Sequence, residues 1–286
     1  MTDPVSVVAA LETFAAGRTL LACAPHIQSV SGGLTNHTWR VTGGGRDWAV
    51  RIGSGRAARL GIDRRTEARV LMHVSAAGFA PPIVHIAPHS GVLVTQFIGP
   101  CPWSREEARA PAAARRLGAR ARELHALELP GGVPTLDLHD VLIRYLETAP
   151  PPEAPIARAA IAASIRQAIV DYHPAGQALC HHDLNHHNIL DGPPLVFIDW
   201  EYAAVGDVAL ELGAYAQYHE LDAAGRQALL EGYGRDSPVS PAQLRNACVL
   251  FDCLHALWLD AAEAWESLDA ARRSSLHDRI MGAESA

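Results

Sequence analysis

The 286-residue sequence contains no lysine; all 24 of its basic side chains are arginine. That absence removes whole reaction classes. A Walker A loop needs its GK[ST] lysine and a Schiff-base enzyme needs a lysine amine, so P-loop hydrolases, pyridoxal-phosphate enzymes and lysine aldolases are excluded. Any cation that grips phosphate must be arginine. Cysteine is sparse: Cys23, Cys101, Cys180, Cys248 and Cys253 are scattered, odd in number and form no CxxC pair, so zinc-knuckle and dithiol motifs are missing and reduced cytoplasmic thiols are expected. Basic excess is missing too: 24 basic against 31 acidic residues gives a net charge of −7, which argues against nucleic acid as a partner. No apolar run reaches 18 residues, so no membrane span is expected. Leu20 to Cys23 superficially resembles a lipoprotein cleavage site, but Glu12 and Arg18 interrupt the apolar segment it would need, so no signal peptide is read.

What is present is globular. Apolar residues make up 49% and mean hydropathy is +0.03, and the length suits two domains or lobes. A helix is expected over Val5 to Ala15, then strands at Ile27 to Val30, Trp39 to Val41 and Trp48 to Ile52, separated by glycine pairs and forming an antiparallel meander. A helix over Arg64 to Ala77 follows, with Ala68, Leu71, Met72 and Ser75 at helical spacing and Gly78 as its cap. Strands at Ile83 to Ile86 and Val92 to Phe97 close this half. Ser104 and Glu107 form a capping box that opens a helical half, in which Arg105 to Arg122 reads as one solvated helix face and Pro150 to Pro155 as a loop. The expected architecture is α+β, with an N-terminal lobe over residues 1–98, a hinge at about 96–102 and a C-terminal lobe over 99–286.

The segment from Leu179 to Asp207 breaks the helical pattern. Asn188 to Leu190 and Leu195 to Ile198 read as strands joined by the turn formers Asp191 to Pro194, a hairpin that would bring Asn188 and Asp199 together. Asp183, in a loop five residues earlier, would face the same mouth. Hard oxygen donors beside a free carboxylate suit Mg²⁺ and a phosphate-bearing substrate. Each of these residues taken alone could equally be a cap. His181, His182, His186 and His187 leave a zinc cluster as an alternative, although adjacent histidines on a loop point apart and the spacing fits no HExxH or CxxC site.

These residues resemble the aminoglycoside phosphotransferase and choline kinase family. His181, Asp183 and Asn188 fit its HxDxxxxN loop, and Asp199 in Phe197-Ile198-Asp199-Trp200 fits the metal-binding aspartate that follows. The resemblance implies a two-lobed protein-kinase-like fold, with a small N-terminal antiparallel β lobe and a larger, mainly helical C-terminal lobe. It implies Asp183 as the catalytic base with His181 bracing its loop, and Asn188 and Asp199 as Mg²⁺ ligands on ATP. It also assigns the phosphate cover to Ser31 to Asn36, including Gly32, Gly33, Thr35 and Asn36. Arg51 would be the phosphate cation, Glu67 its helix partner, and Gln96 to Ile98 the adenine-binding hinge. There is no GxGxxG, DFG or APE, and His182 stands where a protein kinase has the arginine that reads its activation loop, so a protein substrate is not expected.

For the acceptor, Trp200-Glu201-Tyr202-Ala203 and the run to Leu212 look most like thiamine kinase, with choline kinase next and aminoglycosides third. Asp199 to Glu220 carries five carboxylates, no arginine and four aromatics, which suits a cationic alcohol. Trp200, Glu201, Tyr202, Glu211, Tyr218 and Trp258 are the candidate acceptor residues, although Tyr215 and Trp258 at helical spacing also read as core. A His-cluster metal hydrolase and a silent nucleotide-binding module are the rival functions. The oligomeric state stays open.

Overall fold

The computed structural model describes residues 4–30, 35–57, 59–99, 102–147, 161–162, 165, 172–234 and 236–283. The chain divides into two compact units, one formed by residues 1–100 with 196–201 and the other by residues 101–195 with 202–286.

In the first unit α1 (Pro4–Glu12) and α2 (Ala15–Leu21) precede β1 (His26–Val30), β2 (Asn36–Gly43) and β3 (Arg46–Gly53); α3 (Arg64–Ala76), β4 (Ile83–Ala87) and β5 (Val92–Gln96) follow. The five strands make one antiparallel sheet in the order β1-β2-β3-β5-β4, and its first three strands are the expected meander. The β2–β3 turn is Gly44-Gly45, both at positive φ (54° and 73°), the geometry a two-residue hairpin needs and that only glycine adopts without cost. Alternate residues Trp39 and Val41, Trp48 and Val50, and Val92 and Val94 point to one face and pack with Val7, Leu11 and Leu20 of the two helices. Each such buried side chain contributes about 1.5–3 kcal/mol. The single expected helix over Val5 to Ala15 is two helices. Thr13 Oγ1 bonds back to Ala10 O at 2.6 Å, and Phe14 is extended (φ −136°, ψ 155°), which ends the first helix and starts the second.

Helix α3 starts at Asp63, whose side chain accepts from Arg65 N, and ends before Gly78 at φ 76°. It buries Glu67, Ala68, Val70, Leu71 and Val74, whereas Met72, expected on the apolar face, is 56% exposed. Strand β8 (Val196–Phe197) belongs to this unit, where Phe197 N donates to Phe79 O at 2.7 Å.

The second unit is mainly helical. The capping box at Ser104 opens α4 (Arg105–Arg109), but the arginine-rich stretch is two helices, because Pro111 forces Ala110 out of helical conformation (ψ 135°) before α5 (Pro111–His125) begins. Nor is it all solvated: Arg120 is buried and donates from Nε to Leu195 O. After α6 (Leu138–Glu147) come β6 (Gln177–Cys180), a 3₁₀ turn (His186–Asn188), β7 (Ile189–Leu190) and β9 (Ala204–Asp207). Helices α7 (Val208–Tyr218), α8 (Ala223–Tyr233), α9 (Pro241–Ala262) and α10 (Ala270–Ala283) complete it. Strand β9, absent from the sequence expectation, pairs antiparallel with β6. Helices α5 and α8 pack closely because Gly118 and Gly232 lie against facing backbone, where an added Cβ would come within 2.2 Å of Leu229 O and 2.0 Å of Arg115 O respectively. The expected Pro150 to Pro155 loop lies outside the described residues.

Candidate active site

In the first unit, β3 carries Arg51 and α3 carries Glu67, and the two form a buried ion pair at 2.5 Å. Arg51 Nη1 also bonds Asp199 Oδ1 at 2.9 Å. Arg64, three residues before Glu67 on α3, reaches Glu67 Oε2 (2.8 Å), Glu201 Oε2 (2.9 Å) and Asn36 Oδ1 (2.8 Å). Asn36 Nδ2 donates to Asp199 Oδ1 (3.1 Å) and Glu201 Oε2 (2.8 Å), and Thr35 Oγ1 donates to Glu201 Oε1 (2.6 Å). Two guanidiniums thus face three carboxylates, an excess of negative oxygen in a poorly solvated place. Burial raises the pKa of Asp199, with Arg51 opposing; burial and then Asp199 raise that of Glu201. Asp199 sits at φ 62°, a left-handed backbone conformation uncommon outside glycine that aspartate tolerates better than most residues.

The structure therefore brings Thr35, Asn36, Arg51, Glu67 and Asp199 together, but Thr35 and Asn36 turn onto the carboxylates rather than standing clear as a phosphate cover. Gly32 and Gly33 lie outside the described residues. Gln96 ends β5, its side chain exposed, and its N–H is already given to Pro82 O, so it offers no backbone donor; Ile98 is half-buried just beyond. Arg64 was missed. Its signal was the i,i+3 spacing to Glu67 at a helix start, which on a single sequence reads as an ordinary surface pair.

In the second unit, Asp183 lies in the loop after β6. Asn185 Nδ2 donates to its Oδ1 and Asn188 Nδ2 to its Oδ2, both at 2.8 Å, so the carboxylate is fixed by two amides. His181, fully buried, accepts from Asp183 N through Nδ1 at 3.2 Å, which ties the start of the loop. Asn188 is in the 3₁₀ turn rather than the expected strand, because Asn185 caps the turn by accepting from His187 N. With both protons of its Nδ2 directed at Asp183, Asn188 presents its Oδ1 as the remaining polar atom. Behind the loop, Glu211 of α7 accepts from His182 N (2.7 Å) and from His125 Nε2 (2.9 Å), while His125 Nδ1 meets the Tyr233 hydroxyl (2.8 Å). Burial alone would raise Glu211, but the hydrogen bond and charge of His125, with His182, hold it down to about 2. His182 has φ 62°, so the loop starts from a second left-handed residue.

Three acceptor candidates have internal partners. Trp200 is fully buried and donates to Phe197 O, Glu201 is taken up by Arg64, Thr35 and Asn36, and Glu211 by His125 and the loop, so none presents a free face. All five carboxylates of the acidic stretch have internal partners: Asp207 accepts from Tyr172, Ala175 N and Gly176 N, and Glu220 from Arg105 and Arg279. Acidic composition alone therefore does not locate the face that meets the acceptor. Tyr202, Tyr218 and Trp258 do come together around α9: Trp258 Nε1 donates to the Tyr202 hydroxyl at 2.9 Å, and His255 lies between Trp258 and Tyr218. Among the described residues the four loop histidines do not gather into a three-ligand metal cluster; the grouping that does form is His125, Cys180 and Glu211.

The first unit's five-strand sheet and the mainly helical second unit make a protein-kinase-like fold. The chain belongs to the phosphotransferase enzyme family, whose pattern matches residues 26–246. A probable choline kinase 2 of Arabidopsis thaliana is 26% identical over 212 residues, 66% of this chain and 59% of that protein, so the chain spans less than two thirds of this relative's length. The crystal structure of choline kinase LicA from Streptococcus pneumoniae superposes with a TM-score of 0.75 at 19% identity, covering 90% of this chain and 94% of that one. A choline/ethanolamine kinase family protein from Mesorhizobium loti gives 0.71 at 25% identity, covering 97% of each.

Proposed function

We propose that the chain transfers the γ-phosphoryl group of ATP to the hydroxyl of a small alcohol, in the manner of its choline and ethanolamine kinase relatives. The observation that carries this reading is Arg51, which bridges Glu67 and Asp199 and so supplies, without lysine, the cation that fixes phosphates beside a metal-binding carboxylate. Arg51 holds the phosphates. Asp183 accepts the acceptor hydroxyl's proton as the alcohol oxygen bonds to the γ-phosphorus and the β–γ bridging P–O bond breaks. The amides of Asn185 and Asn188 hold that carboxylate in place, and His181 holds the loop. Asp199 and Asn188 each offer the hard oxygen donors that Mg²⁺ takes, and the net negative charge of the first unit's cluster fits a divalent cation, so these are the residues that would hold Mg²⁺. Bound there, the ion neutralises charge on the phosphates.

For the acceptor, the relatives favour an alcohol of the choline and ethanolamine class; the likeness of Trp200 to Leu212 adds thiamine, and an aminoglycoside is the remaining alternative. The test is ADP release from Mg·ATP with a panel of choline, ethanolamine, thiamine, an aminoglycoside and other small alcohols, with the phosphorylated product identified by ³¹P NMR. Transfer to at least one alcohol is expected. Nucleotide binding with no transfer to any of them would overturn this reading in favour of a silent binding module.

A further inference from the structure

One of the candidate acceptor aromatics, Tyr218, borders a small, open cleft in the second unit that is also lined by Phe251, His255, Glu220, Arg272 and Arg279, among others. Its charge is opposite to what a choline site requires. Arg279 is neutralised by a two-pronged contact with Asp252 (2.8 and 2.9 Å) and reaches Glu220 at 3.3 Å, and Glu220 is shared with Arg105 at 2.8 Å. Among the described residues the Arg272 guanidinium has no carboxylate partner: it lies 5.1 Å over the Tyr218 ring, while the Arg272 backbone N–H donates to Asp269 Oδ1. Arg105 Nη1 is buried with no hydrogen-bond partner. Three guanidiniums therefore share two carboxylates, and two of the three have unmet donor capacity. The imidazoles of His219 and His255 add no compensating charge: burial first, and the neighbouring guanidiniums among the further causes, push both down to about 3. The cleft also adjoins the catalytic loop, because the ring of His186, three residues after Asp183, lies 5.9 Å from that of Tyr218.

We infer that this cleft receives an anionic group, a carboxylate or phosphate, on the acceptor alcohol, with Arg272 as its principal cation and the Tyr218 face holding that guanidinium in place. A planar guanidinium held over an aromatic ring can make two parallel hydrogen bonds to such a group, and a positive site disfavours a quaternary ammonium. The inference rests on the phosphotransfer reading above and departs from the choline preference of the relatives by the charge of the acceptor.

The experiment compares kcat/KM for 4-hydroxybutyrate, L-homoserine and glycerol 3-phosphate with that for choline and ethanolamine, in the wild type and in Arg272→Gln and Arg272→Lys. Malonate serves as a non-reacting anionic competitor whose binding is measured directly by calorimetry. The first two alcohols report a carboxylate and the third a phosphate. We expect an anionic alcohol to exceed choline at least tenfold in kcat/KM. Arg272→Gln should raise its KM tenfold or more with the KM for ATP within twofold, and Arg272→Lys should restore part of the loss. Among the described residues the Arg272 guanidinium has no carboxylate partner, so Arg272→Gln should keep the wild-type melting temperature. Preference for choline or ethanolamine with an indifferent Arg272→Gln would overturn the inference and leave phosphotransfer standing. If no alcohol is phosphorylated but malonate binds the wild type and not Arg272→Gln, phosphotransfer falls and the anion site stands. If malonate also fails to bind, both fall.

Discussion

Replacing Glu211 by glutamine separates the charge at the back of the catalytic loop from its shape. The amide oxygen can still accept from His182 N, but the negative charge facing His125 is gone. The carboxyl is 1% exposed and its pKa falls from 4.5 to about 2 on folding. At about 1.36 kcal/mol per pKa unit, that shift contributes roughly 3 kcal/mol to stability at neutral pH. The sign follows from the direction of the shift. A carboxylate depressed in the fold stabilises fully above its unfolded pKa and loses that contribution as pH falls toward its folded value. The gap between wild type and Glu211→Gln should therefore be flat from pH 7 to about pH 5 and shrink to about 1 kcal/mol near pH 3. Urea unfolding at a series of pH values measures it. A gap below 1 kcal/mol at pH 7, or one that widens on acidification, would refute the assignment of Glu211 as a buried, hydrogen-bonded carboxylate anchor.

Asp199 carries the opposite sign. Burial raises its pKa, so its ionised form opposes folding at pH above its folded value, and Asp199→Asn should raise the melting temperature of the ligand-free protein at pH 7 while abolishing the further rise produced by Mg·ATP. Unchanged Mg·ATP stabilisation in that variant would remove Asp199 from the metal site. Arg51→Lys should retain only part of the nucleotide affinity, because a point charge cannot bridge Glu67 and Asp199 as a planar fork does; full activity in a steady-state ATP titration would contradict the bridging role. Arg64→Ala leaves the buried Glu201 without its cation and should cost roughly 3–5 kcal/mol in urea unfolding.

The meander, α3 and the capping box at Ser104 were legible because each is a local pattern: alternation, helical spacing and a three-residue cap. What the sequence concealed were interruptions and partners. The breaks at Thr13-Phe14 and Ala110-Pro111 are single-residue events inside otherwise continuous helical composition. Strand β9 is four residues long and exists because β6, more than 20 residues away, pairs with it. For the site, residue types and order pointed to Asp183, Asn188 and Asp199. Charge balance was not readable, because Glu201 and Glu211 find their partners, Arg64 and His125, across long sequence separations. An acidic composition does not by itself mark a ligand's counter-charge, because each of these acids has an internal hydrogen-bond partner.

The most direct test of the central claim, that Asp183 takes the acceptor's proton in a phosphoryl transfer, is a kinetic comparison of wild type with Asp183→Asn on the best alcohol of the panel. Asparagine keeps the size of the side chain and loses the base. The account predicts that kcat falls by at least ~100-fold while the KM for Mg·ATP stays within a few fold, because a base acts in the transition state and not on nucleotide binding. An Asp183→Asn enzyme that keeps a tenth or more of the wild-type kcat would contradict it.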